Sequence, residues 1–296
     1  MYPASFEYHA PSTLQEAIAL LGKYGDDAKL LSGSQSLIPL MKLRLASPAH
    51  VVDLRKVDGL TGVKQVGNEL HIGAMTTHAA LAKNELFRSK LPMAAEAAGQ
   101  IGDAQVRNLG TIGGSLAHAD PSADWPAVLT ALDASVVVAG PRGERTLKVY
   151  EQLIVGPLTT SLQAGEILTQ VRVALPPART AGAYEKLPNP ASRFAVVGVA
   201  AEISLDARNA VQWSRIAITG LGSRVSRANG VEQALQGKAA EPAAIKSAAV
   251  RAADGLELRA DLSGSAGYKA QIAAVYTERA VLRAVARARE RCPRGQ

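Results

Sequence analysis

Two short loops, residues 32–36 and 111–115, combine glycines with serine or threonine side chains. Glycine lets a ligand approach the backbone closely, and successive N–H groups that point inward form a nest for an anion. Short hydroxyl side chains add further donors. The pattern predicts a diphosphate site between the two loops that needs no lysine, although each loop taken singly is also typical of an ordinary tight turn.

Other nucleotide-binding motifs do not fit this sequence. There is no G-x-x-x-x-G-K-[ST] segment, so a P-loop is unsupported. Gly220 and Gly222 follow a predicted strand, but Val225 stands where a dinucleotide fold places its third glycine, and no early βαβ unit surrounds them. We interpret this segment as a structural turn.

The elements around the two loops alternate between strands and helices, as in an α/β opening. Ser12 and Gln15 form a capping-box pattern before a helix that buries Leu14 and Leu21, and Asp124 is expected to cap a later helix. Apolar runs predict strands at 6–9, 29–31, 51–54, 69–74, 136–139, 145–149 and 167–173. The remaining patterns predict helices at 79–82, 92–98 and 127–132.

Pro176 and Pro177 mark a linker, because neither suits the interior of a helix or strand. Beyond them, strands predicted at 183–187, 195–204 and 213–219 come first, and helices at 225–235, 242–253 and 268–291 follow. This order indicates a separate α+β domain.

Composition excludes several classes of protein. Of the 296 residues, 47 % are hydrophobic and 20 % charged, which supports a folded core. One cysteine, Cys292, excludes an internal disulfide, a thiolate zinc cluster or an iron–sulfur centre built from this chain alone, and fits a reducing compartment. No apolar run of about 18 residues and no signal-peptide pattern is present, so we expect a cytoplasmic protein.

The net charge of +7 raises the question of nucleic acid. Residues 276–296 hold six arginines against two glutamates, so the charge lies in one terminal helix instead of spreading over a face. Aromatic residues make up 4 %, too few for a base-stacking platform. We expect no nucleic-acid partner; the basic side of this helix is either packed and solvated or a docking surface for an acidic neighbour.

Two longer segments carry a resemblance to a known family. Residues 31–45 (LSGSQSLIPLMKLRL) and 106–121 (VRNLGTIGGSLAHADP) resemble the two flavin-binding signatures of the FAD-carrying medium subunit of molybdenum hydroxylases. Residues 218–222 (ITGLG) resemble a recurring turn of the same family, so the similarity covers nearly the whole chain.

The resemblance implies an α+β fold. Residues 1–176 would form an FAD-binding domain of the vanillyl-alcohol-oxidase (PCMH) type, with subdomains at about 1–57 and 58–176 and the diphosphate between the two loops. Residues 177–296 would form a C-terminal α+β domain with a three-stranded antiparallel sheet and helices.

The resemblance also implies the cofactor contacts. Asp124 matches an acidic residue near the cofactor, Ile167 or Leu168 an apolar contact, and Lys186 a basic residue beside the ring, where a cation would stabilise the anionic reduced flavin. The full set is Leu30, Leu31, Ser32, Gly33, Ser34, Gln35, Ser36, Leu37, Thr111, Ile112, Gly113, Gly114, Ser115, Ala117, Asp124, Ile167 and Lys186. The family's first loop commonly reads Ala-Gly-Gly; here Ser34 replaces the second glycine and adopts a positive φ less readily, although its hydroxyl offers phosphate a donor.

Ordinary structural roles compete with some of these assignments. A lone His118 is more often packed than catalytic. Asp120 and Asp124 are more typical of a cap and a ribose or ribityl contact than of a metal site. Without the resemblance, Lys186 would be interpreted as a surface ion-pair lysine.

The implied function is electron transfer, with no catalytic or metal-ligating residue in this chain. Substrate would be oxidised at a molybdenum–pterin cofactor in a large partner subunit. Electrons would pass through two [2Fe-2S] clusters in a small partner to FAD here, and then to a quinone, NAD or oxygen; a dimer of heterotrimers is expected. Carbon monoxide is the first expectation for the substrate and xanthine or an N-heterocycle the alternative. A free-standing flavin oxidase and a basic nucleic-acid-binding protein are the competing hypotheses.

Overall fold

The computed structural model describes residues 2–291, so Cys292 and the last basic residue, Arg294, lie outside the described residues. Three main sheets follow one another along the chain, built from strands in the segments 7–53, 63–174 and 180–227. None of the helices in the described part of the chain is both long and apolar enough to cross a bilayer.

The first sheet is parallel and has the strand order β1-β3-β2. Its elements are β1 (Glu7–His9), α1 (Leu14–Tyr24), β2 (Ala28–Leu31), α2 (Leu37–Lys42) and β3 (His50–Asp53). Helix α1 buries Ala17 and Leu21 on one face against this sheet. The capping box is formed by Thr13 and Glu16, one residue later than the predicted pair of Ser12 and Gln15.

The second sheet is antiparallel, with the order β4-β5-β10-β6-β7. Its strands are β4 (Val63–Val66), β5 (Glu69–Gly73), β6 (Ser135–Gly140), β7 (Gly143–Lys148) and β10 (Ile167–Ala174). A separate hairpin pairs β8 (Ile154–Gly156) with β9 (Thr159–Thr160). The hydrophobic core of this region lies between the five-stranded sheet and six helices. These are α3 (His78–Lys83), α4 (Glu85–Lys90), α5 (Pro92–Gln100), α6 (Ala104–Leu109), α7 (Ile112–His118) and α8 (Asp124–Ala131).

The third sheet has the order β11-β12-β13-β14 and is followed by helices. The three long strands correspond to those predicted, and the two-residue β14 adds a fourth that the sequence pattern does not reveal. The elements are β11 (Thr180–Pro188), β12 (Ala195–Leu205), β13 (Val211–Thr219), β14 (Ser226–Arg227), α9 (Asn229–Leu235), α10 (Pro242–Ala249) and α11 (Ala266–Glu290).

Strand β12 is buried along its whole length because both faces of the third sheet are covered. Helix α11 packs on one face and α8 of the preceding domain on the other. Tyr184, Ala200 and Ala217 therefore belong to the core of the second sheet, although they lie on strands of the third. The two domains thus share one apolar interface.

Candidate functional site

A cleft of about 460 Å³ is lined by both small-residue loops and by residues from all three sheet regions. Many of the predicted cofactor contacts line it: Leu30, Ser32, Gly33, Ser34, Gln35, Ser36, Leu37, Thr111, Gly113, Gly114, Ser115, Ala117, Asp124 and Ile167. Leu31 and Ile112 instead face hydrophobic cores, and Lys186 lies behind Asp124. The structure therefore brings together residues that are far apart in sequence.

The two loops are in direct contact. The hydroxyl groups of Ser32 and Thr111 lie 2.7 Å apart, within hydrogen-bond distance. A Cβ at Gly33 would overlap the backbone of Leu109, and one at Gly114 would lie 2.9 Å from Oγ1 of Thr111. Glycine is required at position 33 because the first loop passes directly against the backbone of residues 109 and 110. At position 114 an added Cβ would press on the Thr111 side chain of its own loop and lie 3.3 Å from Oγ of Ser32 in the other loop.

The first loop carries free amide donors. Within the described residues, the N–H groups of Gly33, Ser34, Gln35 and Ser36 donate to no protein acceptor. Ser34 has a φ of +65°, a left-handed conformation that glycine adopts more cheaply than serine. Its hydroxyl donates to the carbonyl oxygen of Ser32 at 3.3 Å, so it supports the loop.

The second loop uses its amides differently from the prediction. Four of its five N–H groups already donate within the protein: Ile112 to Thr76, Gly113 to Ala74, and Gly114 and Ser115 to Thr111. This arises because Thr111 is the N-cap of α7 and the loop crosses the end of β5. The second loop therefore offers an anion its hydroxyl groups and its close packing, while the first loop offers main-chain donors.

A buried ion pair lies at the border of the cleft. Nζ of Lys186 is 2.9 Å from Oδ1 of Asp124, and both side chains are almost fully buried. The hydroxyl of Tyr184 donates to the same carboxylate at 2.5 Å. Burial raises the pKa of Asp124 above its ordinary value, and the nearby ammonium and phenol oppose that rise. Lys186 is therefore no surface lysine, and it reaches the cleft only through Asp124.

The sequence pattern predicts that Asp124 caps a helix, and the structure contradicts this prediction. It is the first residue of α8, Ala123 occupies the N-cap position, and no side-chain capping bond is made. The carboxylate turns instead toward β11, which supplies both of its partners. A contact between residues separated by 60 or more positions leaves no local pattern in the sequence.

His78 also lines the cleft, and no motif marked it. Its Nδ1 accepts a hydrogen bond of 3.0 Å from Nε1 of the fully buried Trp125. Burial lowers the pKa of His78 to about 4, so the ring is neutral at pH 7 and carries its proton on Nε2. Other lining residues that sequence reasoning missed are Leu162, Glu166, Arg193 and Phe194.

The C-terminal domain holds the segment that connects α7 to α8. The hydroxyl of Thr219 lies within hydrogen-bond distance of the carbonyl oxygens of Pro121 (2.6 Å) and Ala123 (2.9 Å), and the N–H of Gly220 also donates to Pro121. Gly220 has a φ of +88° and leaves no space for a Cβ beside Val196. The Gly220 segment is thus a structural turn, and it fixes one border of the cleft.

Family models match both parts of the chain. Residues 4–176 match the FAD binding domain in molybdopterin dehydrogenase, and residues 182–284 match the CO dehydrogenase flavoprotein C-terminal domain. The chain therefore belongs to the FAD-binding family of the molybdopterin dehydrogenases.

The similarity to known proteins covers nearly the full length of the chain. The chain is 40 % identical to the carbon monoxide dehydrogenase medium chain of Hydrogenophaga pseudoflava, covering 97 % of this chain and 99 % of that one. It is 37 % identical to subunit alpha of the 6-hydroxypseudooxynicotine dehydrogenase complex of Paenarthrobacter nicotinovorans, covering 98 % and 97 %. A solved structure of the H. pseudoflava carbon monoxide dehydrogenase matches with a TM-score of 0.92 at 41 % identity, covering 99 % of this chain and 100 % of that chain.

Proposed function

We propose that this chain is the FAD-carrying, electron-transferring subunit of a molybdenum hydroxylase complex. The observation that carries the proposal is the set of free N–H groups at residues 33–36, in a cleft where glycines bring the two loops together. Such a nest suits a diphosphate, because main-chain dipoles offset the negative charge. The residues that line the cleft therefore fit FAD, the cofactor that membership of the FAD-binding family implies.

FAD, when bound, supplies a redox centre that accepts electrons from iron–sulfur clusters and releases them to an external acceptor. The chain's own residues would bind and orient it. The amides of residues 33–36 would hold the diphosphate, Asp124 would offer a carboxylate to hydroxyl groups of the cofactor, and Ile167 and Leu168 would exclude water. Lys186 would act through Asp124 by keeping that carboxylate ionised.

The partners and boundaries belong to the same proposal. A large subunit would hold the molybdenum–pterin cofactor and a small subunit two [2Fe-2S] clusters, in a dimer of heterotrimers; the medium-chain and complex-subunit names of the relatives support this. A quinone, NAD or oxygen would be the electron acceptor.

We also propose that the chain divides into two domains at residue 176, with a subdomain boundary near residue 57; the three separate sheets support this division. A cytoplasmic location is supported by the single cysteine.

We propose carbon monoxide as the substrate of the complex and xanthine or an N-heterocycle as the second candidate. The first choice is supported by the 40 % identity to a carbon monoxide dehydrogenase medium chain. The second is supported by the 37 % identity to subunit alpha of a 6-hydroxypseudooxynicotine dehydrogenase complex.

Purification from the native source tests the assignment. We expect a yellow protein with one FAD per chain that copurifies with molybdenum-containing and iron–sulfur-containing partners. Reduction of the purified complex by carbon monoxide, but not by xanthine or quinoline, would support the first substrate. An isolated yellow chain that turns over an alcohol or phenol without partners would contradict the proposal and favour a free-standing oxidase.

A further inference from the structure

Three side chains at the edge of the first sheet bring metal-binding atoms together. Glu7 and His9 are two residues apart on β1, so their side chains project from the same face. His50 on β3 is the register partner of Glu7 in the parallel pair. Strand pairing thus places one carboxylate beside two imidazoles, and none of the three residues lines the cleft.

The distances suit one small ion. Nε2 of His9 lies 3.1 Å from Nδ1 of His50, and Oε2 of Glu7 lies 3.4 Å from that Nδ1 and 3.9 Å from that Nε2. A point exists about 2.0 Å from all three atoms, close to the roughly 2.0–2.2 Å of Zn–N and Zn–O bonds. Among the described residues, no other cluster of three such side chains meets at this range.

The two imidazoles are held in place before any ion arrives. The Tyr24 ring stacks on His50 with centroids 3.6 Å apart and on His9 at 5.2 Å. The histidine side chains are 20 % and 16 % exposed, whereas Glu7 is 72 % exposed. Ligands whose rotamers are fixed lose little entropy on binding, and the exposed side leaves positions for water.

The ligand chemistry selects the ion. Two imidazole nitrogens and one carboxylate oxygen suit Zn²⁺, whereas Mg²⁺ and Ca²⁺ prefer sites built only from oxygen. The positive charge of Lys23 opposes cation binding at this site, because its ammonium lies 4.8 Å from the Tyr24 ring centroid and interacts with Glu7. Its removal should favour the ion.

We propose that Glu7, His9 and His50 bind one Zn²⁺ ion that links the edge strand β1 to β3, with water completing the coordination. Strand β1 has only three residues and one neighbouring strand, so a metal link would hold it more firmly in the sheet. An ion that binds only the folded chain stabilises that chain by mass action.

Zinc titration of the full chain tests the site. The protein, without a polyhistidine tag and after treatment with a chelator, is titrated with zinc sulfate in a calorimeter, and Co²⁺ serves as a spectroscopic substitute. We expect one bound ion per chain. His9→Gln or His50→Gln should each weaken zinc binding by about tenfold or more and remove the Co²⁺ ligand-field bands. Lys23→Gln should bind at least as tightly as the wild type.

His71→Gln is the matched control. His71 also pairs with a glutamate two residues away, with Nε2 of His71 3.0 Å from Oε2 of Glu69, but a third ligand is absent among the described residues. This variant should bind zinc like the wild type. Thermal unfolding with and without zinc gives a second readout, since the ion should raise the Tm of the wild type and not that of the double variant His9→Gln/His50→Gln.

Equal zinc affinity and stoichiometry in the wild type and the double variant would overturn the proposal, as would no binding at micromolar zinc. If a histidine variant does not fold, Glu7→Gln tests the same site at its most exposed ligand. A loss of zinc binding in Glu7→Gln supports the proposal, and unchanged binding there contradicts it.

Discussion

Asp124 and Lys186 are 62 residues apart in the sequence, yet their charged groups lie 2.9 Å apart with both side chains buried. The first belongs to the FAD-binding part of the chain and the second to a strand of the C-terminal domain. The pair therefore ties the border of the cleft to the interface between the domains.

Lys186→Met should destabilise the protein strongly. The change leaves the Asp124 carboxylate buried without a counter-ion, which costs about 3–5 kcal/mol in the free energy of unfolding. Urea unfolding at pH 7 measures the loss. The double variant Asp124→Asn/Lys186→Met should recover part of it, because no charge is left unpaired.

The control for this prediction is Lys246→Met, at an exposed position of α10. It should change the free energy of unfolding by less than about 0.5 kcal/mol. If Lys186→Met behaves like this control, the buried pair contributes nothing to stability.

Ser34→Gly should stabilise the chain. The left-handed conformation at a φ of +65° costs a serine more than a glycine, and this outweighs the loss of the long, 3.3 Å bond from its hydroxyl to Ser32. The free energy of unfolding should therefore rise by about 0.5–1 kcal/mol. Ser36→Gly is the matched control, since Ser36 has a φ of −112° and glycine there should only add entropy to the unfolded chain. If both changes stabilise the chain, or if neither does, the left-handed backbone at Ser34 is not the cause.

Gly114→Val should abolish FAD retention. A branched side chain there would meet the hydroxyls of Thr111 and Ser32, and would separate the two loops. The flavin absorbance per chain measures the loss, and circular dichroism checks the fold. Gly99→Val, where no atom lies within 4 Å of an added Cβ, should retain the flavin. Full occupancy in Gly114→Val would remove this contact from the proposed site.

Arg287→Ala should weaken the domain interface without changing the flavin spectrum. Its guanidinium bonds the Glu96 carboxylate and the carbonyl oxygen of Gly182, so the basic side of α11 is partly engaged within the chain. We expect a loss of about 1–2 kcal/mol in the free energy of unfolding. Arg279→Ala, whose guanidinium contacts only the Tyr276 ring within the described residues, should cost less. An altered flavin spectrum in Arg287→Ala would contradict the structural role.

Glu202 should make stability depend on pH near neutrality. Burial raises the pKa of Glu202 to about 7, even though Arg215 lies 3.2 Å away. Because the folded state holds this proton more tightly than the unfolded state, stability is greatest below about pH 4.5 for this group and falls as the pH rises to about 7. Relative to Glu202→Gln, the wild type should lose about 2–3 kcal/mol over that interval.

Denaturant unfolding of both proteins at a series of pH values measures this difference. Other groups titrate in the same range, including the buried His78, so the difference between the two curves is the informative quantity. Parallel curves for the wild type and Glu202→Gln would show that the carboxyl does not titrate in this way.

The sequence predicted elements that rest on local patterns. The three long strands of the C-terminal sheet appear within a few residues of their predicted positions, because apolar runs between turn residues define them. The capping box was misplaced by one residue, from Thr13 and Glu16 to Ser12 and Gln15, since both pairs satisfy nearly the same pattern.

Contacts between distant residues were outside the reach of such patterns. His78 lines the cleft only because Trp125 and α8 pack behind it, and neither residue carries a motif. The use of the second loop's amides was also hidden, because two of their acceptors, Ala74 and Thr76, lie in the segment that follows β5. The resemblance to the family supplied the residues of the cleft, while their hydrogen bonds required the structure.

The bonds from Thr219 to the carbonyl oxygens of Pro121 and Ala123 bear on how such chains can evolve. A fragment ending near residue 176 would keep both glycine loops but would lose this clamp, along with the ammonium that neutralises Asp124. If related chains exchanged domains near residue 176, each product would have to keep both partners of these contacts, one in each domain. From this mutual dependence we expect the two domains to be inherited as one unit.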